Sequence, residues 1–210
     1  MTASFLDLLQ RRVQGLGYQG TLLQTTSPDG VELLTSLGYR PVDHLTVLKI
    51  PASTIREVRA PKPPKFFALR RASDSDTDAI VQLDQSTFEP FWRLDAYGLS
   101  EAVLSTPRSR FRVIEDLQPG AKLPVVGYCI VGSGAGLGYV QRLAVSPTVQ
   151  RQGLARALVI DGLHWVTRWR GREVIVNTQS TNSAALALYE ALGFVRYGYG
   201  ITLCSSLASL

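Results

Sequence analysis

The chain has 210 residues, 45% of them apolar and 19% charged, with a formal net charge of +5. That is ample for a packed core, and no apolar run approaches the length of about 20 residues that a bilayer-spanning helix needs. The charge excess is mild and comes without a lysine-rich arm or stacking-aromatic module, so neither nucleic acid nor a membrane is expected as a partner. Cys129 and Cys204 are too few for a disulfide scaffold and lack metal-ligand spacing; each lies in an apolar run and reads as a buried free thiol. The first ten residues lack a basic start, an apolar stretch and a cleavage site, so a cytoplasmic protein is expected.

In chain order, residues 3–14 are helix-like and 20–25 read as a strand. Ser27-Pro28-Asp29 opens a helix, with serine as the cap and proline at the first helical position. That helix carries Val31, Leu33, Leu34 and Leu37 and stops at Gly38-Tyr39. Residues 45–50 read as a strand. The stretch 51–65, with prolines at 61, 63 and 64, predicts an extended linker. Beyond it, 66–71 is strand-like and 74–87 is a helix with Ala79, Ile80 and Leu83 on one face. The segment Phe88-Glu89-Pro90-Phe91-Trp92-Arg93-Leu94-Asp95 breaks that helix and restarts one; its aromatics either line a groove or plug the core. Residues 110–116 and 125–132 alternate as paired strands, and 136–145 is a further strand. An amphipathic helix over 151–169 presents Leu154, Leu158, Ile160, Leu163 and Val166. The strand 173–178 follows, then a helix capped by Asn182 and stopped by Gly193, then the strand 201–205.

The order helix, strand, helix, Leu-Gly-aromatic, strand occurs twice, in residues 1–50 and again from Arg151 to Leu207. Leu37-Gly38-Tyr39 matches Leu192-Gly193-Phe194. An internal repeat explains this; a chance αβαβ likeness is the alternative.

The densest signal runs from Tyr139 to Phe194. It reads Tyr139-Val140-Gln141-Arg142-Leu143-Ala144-Val145-Ser146-Pro147, then Gln150-Arg151-Gln152-Gly153-Leu154-Ala155, then Asn182, Ala185, Leu188-Tyr189-Glu190 and Leu192-Gly193-Phe194. A strand, a turn and a glycine-bearing helix start in series aim unpaired backbone N–H groups at an anion. These motifs resemble the GNAT superfamily of N-acetyltransferases, whose phosphate-gripping signature Gln/Arg-x-x-Gly-x-Gly/Ala is met by Gln150, Gly153 and Ala155. The resemblance covers residues 66–208.

It implies a mixed α+β fold for 66–208: a mostly antiparallel twisted sheet with splayed central strands, flanked by helices. Residues 51–65 become a linker, and 1–50 a small αβαβ appendage, a degenerate partial copy with no phosphate turn and with Leu34 where Tyr189 stands. The implied activity is acetyl-CoA-dependent transfer of an acetyl group, by direct attack, to a primary amine on a protein lysine, a protein N-terminus or a small molecule. Acetyl-CoA and an amine-bearing acceptor are the implied partners; no metal is implied, and a homodimer is compatible. By resemblance Leu143, Ala144 and Val145 hold the pantetheine arm through main-chain groups. Gln150, Arg151, Gln152, Gly153, Leu154 and Ala155 grip the pyrophosphate, and Asn182 both caps its helix and touches the cofactor arm. The alternative for Gly153 is tight helix–strand packing. Arg151, Arg156, Arg168, Arg170 and Arg172 cluster around one helix, facing those phosphates or solvent.

Tyr189 is implied as the acid that protonates the leaving thiolate, which a phenol with a reference pKa of about 10 can do near neutrality; the alternative is a packing aromatic. The general base has no clear address. Relatives that acetylate ribosomal-protein N-termini carry glutamate where this chain has Asn177, and the splayed strand offers only Tyr139, Gln141 and Arg142. Glu89, in the segment that covers the acceptor in relatives, is the remaining candidate beside Glu173 and a water relay. The missing carboxylate motivates a second reading, a non-catalytic acyl-CoA-binding regulatory module. His44 and His164 lack a metal-ligand companion.

Overall fold

The computed structural model describes residues 3–55, 58–59, 63–120 and 124–207. The first elements are α1 (Ala3–Gly15), β1 (Leu22–Thr25), α2 (Pro28–Ser36), β2 (Arg40–Pro51) and α3 (Ala52–Ile55). Next come β3 (Phe67–Arg71), α4 (Thr77–Thr87), α5 (Ala96–Leu104), β4 (Arg108–Asp116), β5 (Val125–Gly134) and β6 (Leu137–Val145). The chain ends with α6 (Leu154–Arg168), β7 (Glu173–Gln179), α7 (Ser183–Ala191), β8 (Val195–Arg196) and β9 (Ile201–Ser205). Among the described residues no helix is long and apolar enough to cross a membrane.

Packing divides these elements into two compact units that do not follow chain order. The first holds the chain up to Leu48, Asn177–Leu186 and the chain from Arg196 on; the second holds Lys49–Val176 and Ala187–Val195. In the first unit β9 lies between β1 and β2 and is antiparallel to both. The terminal strand, expected to close the sheet of residues 66–208, is thus paired with N-terminal strands. Leu6, Leu34, Tyr39 and Cys204 form a small buried core there. The Tyr39 hydroxyl shares a hydrogen bond of 2.7 Å with Thr21 Oγ1.

The second unit contains the sheet order β7-β6-β5-β4-β3, parallel between β6 and β7 and antiparallel elsewhere. This is the mixed, mostly antiparallel α+β architecture expected. β5 is buried from Val125 to Ser133 because helices cover both of its faces. On one face Ile80, Leu83 and Leu99 of α4 and α5 pack with Val113, Tyr128, Ile130 and Ala144. On the other, α6 approaches so closely that a Cβ on Gly162 would stand 2.4 Å from Val131 Cγ2.

Both Leu-Gly-aromatic stops are built alike. At the end of α2, Gly38 has φ +87° and the Tyr39 N–H donates to Leu34 O at 3.0 Å. At the end of α7, Gly193 has φ +93° and the Phe194 N–H donates to Tyr189 O at 3.0 Å. The left-handed residue redirects the chain while the aromatic amide satisfies a terminal carbonyl. The starts also correspond: Ser27 Oγ accepts from the Gly30 N–H, and Asn182 Oδ1 from the Ala185 N–H.

The start of the proline-rich stretch is not extended. Pro51 ends β2, Ile55 is fully buried, and the Ala52 N–H donates to Arg172 O at 2.8 Å. Residues 56–57 and 60–62 lie outside the described residues.

The Arg70 guanidinium bonds both oxygens of Asp76, at 2.8 Å each, and holds its carboxyl well below the usual carboxylate range, aided by the Ser73 amide and hydroxyl against the cost of burial. A depressed folded pKa adds stability above the unfolded value of about 4, lost as pH falls. Urea unfolding below about pH 4 should therefore show a steep stability loss that Asp76→Asn makes shallower. An unchanged pH dependence in that variant would discount the pair.

Candidate active site

β6 has partners on both sides for only half its length. Its parallel pairing with β7 runs from Leu137–Glu173 to Val140–Val176 and stops there. Its antiparallel pairing with β5 continues to Val145, across a register shift that leaves Gln141 as the extra residue. From Gln141 onward the β7 side of the strand offers backbone N–H and C=O groups without a ladder, which an extended ligand can take up. Ala144 and Val145 are buried and Leu143 is half-buried, so main-chain groups rather than side chains face any ligand along that edge. Gln150 Nε2 donates to Val145 O at 3.0 Å and ties the following turn to the strand end.

That turn differs from the expected helix over 151–169. The helix begins at Leu154; Arg151 has φ +64° and Gly153, its N-cap, has φ +80°. Left-handed backbone disfavours side chains, which explains glycine at 153. Packing does not, since no atom lies within 4 Å of where a Gly153 Cβ would stand. The side of Gly153 that a side chain would fill is open. α6 begins with no side-chain cap and no acidic residue in its first turn. Its leading N–H groups form a positive end, flanked by exposed Arg151 and half-buried Arg156. Gln150, Gln152 and Gly153 are exposed and Ala155 half-buried, whereas the Leu154 side chain is in the core and contributes only its amide. An open, electropositive, uncapped helix start beside an unpaired strand edge suits an elongated ligand carrying phosphates.

Tyr189 lies in the same unit. Its ring is 4% exposed and packs edge-on against Phe194, 5.4 Å between centroids. Burial pushes its phenol well above the ordinary tyrosine value, with Cys129 adding a smaller push in the same direction. The hydroxyl therefore keeps its proton throughout the neutral range. Glu89 is exposed and stands before a single 3-10 turn, Pro90–Trp92. Asn182 and Asn177 fall in the other unit, where Asn182 caps α7 and Asn177 is exposed.

A buried cluster that no sequence motif announces lies beneath the Phe88–Leu94 segment. Asp84, fully buried on α4, accepts from Arg142 Nε and Nη2 at 2.8 Å each, from the Leu94 amide at 2.8 Å and from the Tyr128 hydroxyl. Arg142 Nη2 also donates to Trp92 O at 2.6 Å, and the guanidinium lies 3.5 Å from the Phe88 ring centroid. Burial, then the adjacent carboxylate, raises the Tyr128 phenol far above its ordinary value. Arg142 follows the bulge residue of β6, so one ion pair fastens the Phe88–Leu94 segment to the unpaired half of that strand. The available signal was an aspartate on the apolar side of a helix, since a buried carboxylate demands a cation. Phe88 and Trp92 are half-buried against this cluster, and Phe91 is 43% exposed.

Residues 77–194, more than half of the chain, match the model of the acetyltransferase (GNAT) family. The chain belongs to this family. Mycothiol acetyltransferase of Kocuria rhizophila is 41% identical over 66 residues, 31% of this chain and 22% of that protein. The Rhodococcus erythropolis protein of the same name is 27% identical over 181 residues, 80% of this chain and 59% of that protein. N-alpha-acetyltransferase 30 of Saccharomyces cerevisiae is 41% identical over 59 residues, 28% of this chain and 34% of that protein. The chain thus spans only part of the length of these curated relatives. Among solved structures, a GCN5-related N-acetyltransferase from Sphaerobacter thermophilus matches with a TM-score of 0.70 at 18% identity, over 98% of this chain and 68% of that one. A tandem GNAT protein from the clavulanic acid biosynthesis pathway matches with a TM-score of 0.75 at 13% identity, over 99% and 70%. At these identities the likeness is one of fold.

In this GNAT chain the arginine cluster divides. Arg151 and Arg156 flank the turn, but Arg168 is the last residue of α6 and Arg170 and Arg172 follow it, about 20 Å away at 1.5 Å per residue. Cofactor phosphates do not account for those three.

Proposed function

We infer that the protein transfers an acetyl group from acetyl-CoA to a primary amine. The observation that carries this reading is the unpaired edge of β6 running into the open, uncapped start of α6. Family membership supports it. Acetyl-CoA supplies the activated acyl group and a thiolate leaving group. Main-chain groups of Leu143, Ala144 and Val145 hold its extended arm, and Gln150 through Ala155 take its phosphates on backbone N–H groups. Asn182 is assigned to the cofactor arm, beyond its capping role. Tyr189 Oη holds the proton that the leaving sulfur needs. Glu89, exposed before the Pro90–Trp92 turn, is kept as the candidate base near the acceptor.

The acceptor class stands between a small amine, which the mycothiol acetyltransferase likeness supports, and a protein N-terminus, which the N-alpha-acetyltransferase likeness supports. Residues 1–50 are assigned as a degenerate partial copy of the family domain at 66–208, joined through 51–65; the matching helix starts and stops support this.

Thiol release from acetyl-CoA should be measured against glucosamine, spermidine, an alanyl peptide with a free N-terminus and an N-terminally blocked lysyl peptide. Turnover with one of them is expected; acetyl-CoA binding without turnover on any would overturn the enzymatic reading. Acetyl-CoA at 100 times its dissociation constant should stabilise the fold by about 2.7 kcal/mol. Gly153→Val should lose this ligand-induced rise in melting temperature, besides about 1–2 kcal/mol of strain at the left-handed position. No protein atom lies within 4 Å of the new Cβ, and Gly153→Ala, which carries the same strain with less bulk, should bind better than Gly153→Val if the loss comes from an obstructed ligand. Normal acetyl-CoA binding by Gly153→Val would overturn the phosphate assignment.

A further inference from the structure

On β4, Arg108, Arg110 and Arg112 take alternate positions and so share one face of the strand. All three reach towards α6 or the residue that follows it. Arg110 bonds both oxygens of Asp161, from Nε at 2.5 Å and from Nη2 at 2.8 Å. Arg112 Nε lies 3.4 Å from Asp161 Oδ2, an ion pair without a hydrogen bond. Arg108 lies over the Trp169 ring, 4.6 Å from its centroid. The two rows match in length. Arg108 to Arg112 spans about 13 Å along a strand, and Asp161 to Trp169 about 12 Å along a helix.

Arg71 of β3 is the register partner of Arg112 and extends the row on the same face. Like charges placed directly opposite each other work against pairing. At the other end Arg168 and Arg170 flank Trp169. A cation suits a helix C-terminus, which accounts for Arg168. It does not account for Arg108, on a strand, or for Arg170, whose φ of +58° is backbone that favours glycine. Arg71, Arg108, Arg168 and Arg170 are exposed, and none has an ion pair among the described residues. The acid this row meets is Asp161, with both oxygens already engaged by Arg110. The Trp169 ring beside them is 51% exposed.

We propose that the arginine row from Arg71 along β4 to Trp169 binds single-stranded nucleic acid. Guanidinium groups match phosphate oxygens two at a time, and an exposed indole offers a base a face to stack on. An acidic peptide would answer the charges alone, and a duplex keeps its bases away from the indole. Composition concealed this partner, because acids elsewhere reduce the net charge to +5. Strand alternation and the register of β3 with β4 bring the unpaired cations together. The site ends at the opposite end of α6 from Gly153, and it is independent of the acetyl-transfer reading.

Fluorescence anisotropy of end-labelled oligouridylate and oligodeoxythymidylate, added to the full chain in excess CoA, tests this. Binding by either supports the proposal. Three or four neutralised phosphates should make affinity fall about 20- to 50-fold between about 50 and 200 mM salt. Trp169→Ala should weaken binding by about 5- to 150-fold, and Trp169→Phe, which keeps a stacking face, should recover most of it. Joint Arg108→Gln and Arg170→Gln should reduce the salt slope by about 1.4. These side chains are exposed, so the melting temperature should hold. Arg151→Gln, at the start of α6, should leave oligonucleotide affinity unchanged. Failure to bind either oligonucleotide at low salt overturns the proposal, as does wild-type affinity in Trp169→Ala. Displacement by polyglutamate as effective as by unlabelled oligonucleotide, or binding to phosphatidylserine vesicles alone, would mean a different partner and overturn it too. Loss of binding in Arg151→Gln would move the phosphates to the turn and have the same consequence.

Discussion

Tyr189→Phe is expected to lower turnover by about 10²–10⁴-fold, the usual contribution of a positioned general acid, while acetyl-CoA binds as before. The substitution removes one hydroxyl. The ring stays packed against Phe194, and the hydrogen bond from the Phe194 amide to the residue 189 carbonyl does not involve the side chain. Burial favours the neutral phenol, so the folded pKa lies above the ordinary value of about 10. The proton is therefore present at every pH below that value, and the phenol imposes no alkaline fall in rate between pH 7 and about 10. Measuring kcat at saturating acetyl-CoA, with the dissociation constant from calorimetry for both proteins, separates chemistry from binding. An unchanged kcat in Tyr189→Phe would reduce Tyr189 to a packing residue.

The largest stability effect is expected at Asp84. Asp84→Ala leaves Arg142 buried without its counter-charge and strips the Leu94 amide and Tyr128 hydroxyl of their acceptor. Breaking one side of a buried pair costs about 3–5 kcal/mol, a large share of the roughly 5–15 kcal/mol that holds a domain folded. Removing both charges in an Asp84→Leu, Arg142→Met double variant should cost much less, because no unpaired ion remains. Chemical denaturation of the single and double variants tests this. If the double variant is no more stable than Asp84→Ala, the ion pair is not what holds the segment. The double variant should also loosen Phe88–Leu94, and faster amide exchange at Leu94 would report it.

The sequence was most legible where a few adjacent residues settle the outcome. Ser27 before Pro28, Asn182 before Ser183, and glycine at 38 and 193 each determine a helix end through bonds spanning a handful of positions. The strand–turn–helix run from Leu143 to Ala155 is equally local, which is why the succession of strand, turn and helix was readable, although the left-handed backbone at Arg151 and Gly153 delays the helix to Leu154. Features built from distant partners were not readable. Asp84 and Arg142 stand 58 positions apart, and Asp43 and Gln179 stand 136 apart. Periodicity assigns a side chain to a face but does not say which charge waits on the opposing element. Pairing of β9 with β1 and β2 is of the same kind, since a strand pattern specifies an edge to be satisfied and not the partner that satisfies it. Local chemistry along the chain thus determined the elements and the turn that joins β6 to α6. Only the tertiary structure decided which carboxylates are paired with arginine, because that depends on the groups folding brings within hydrogen-bond reach.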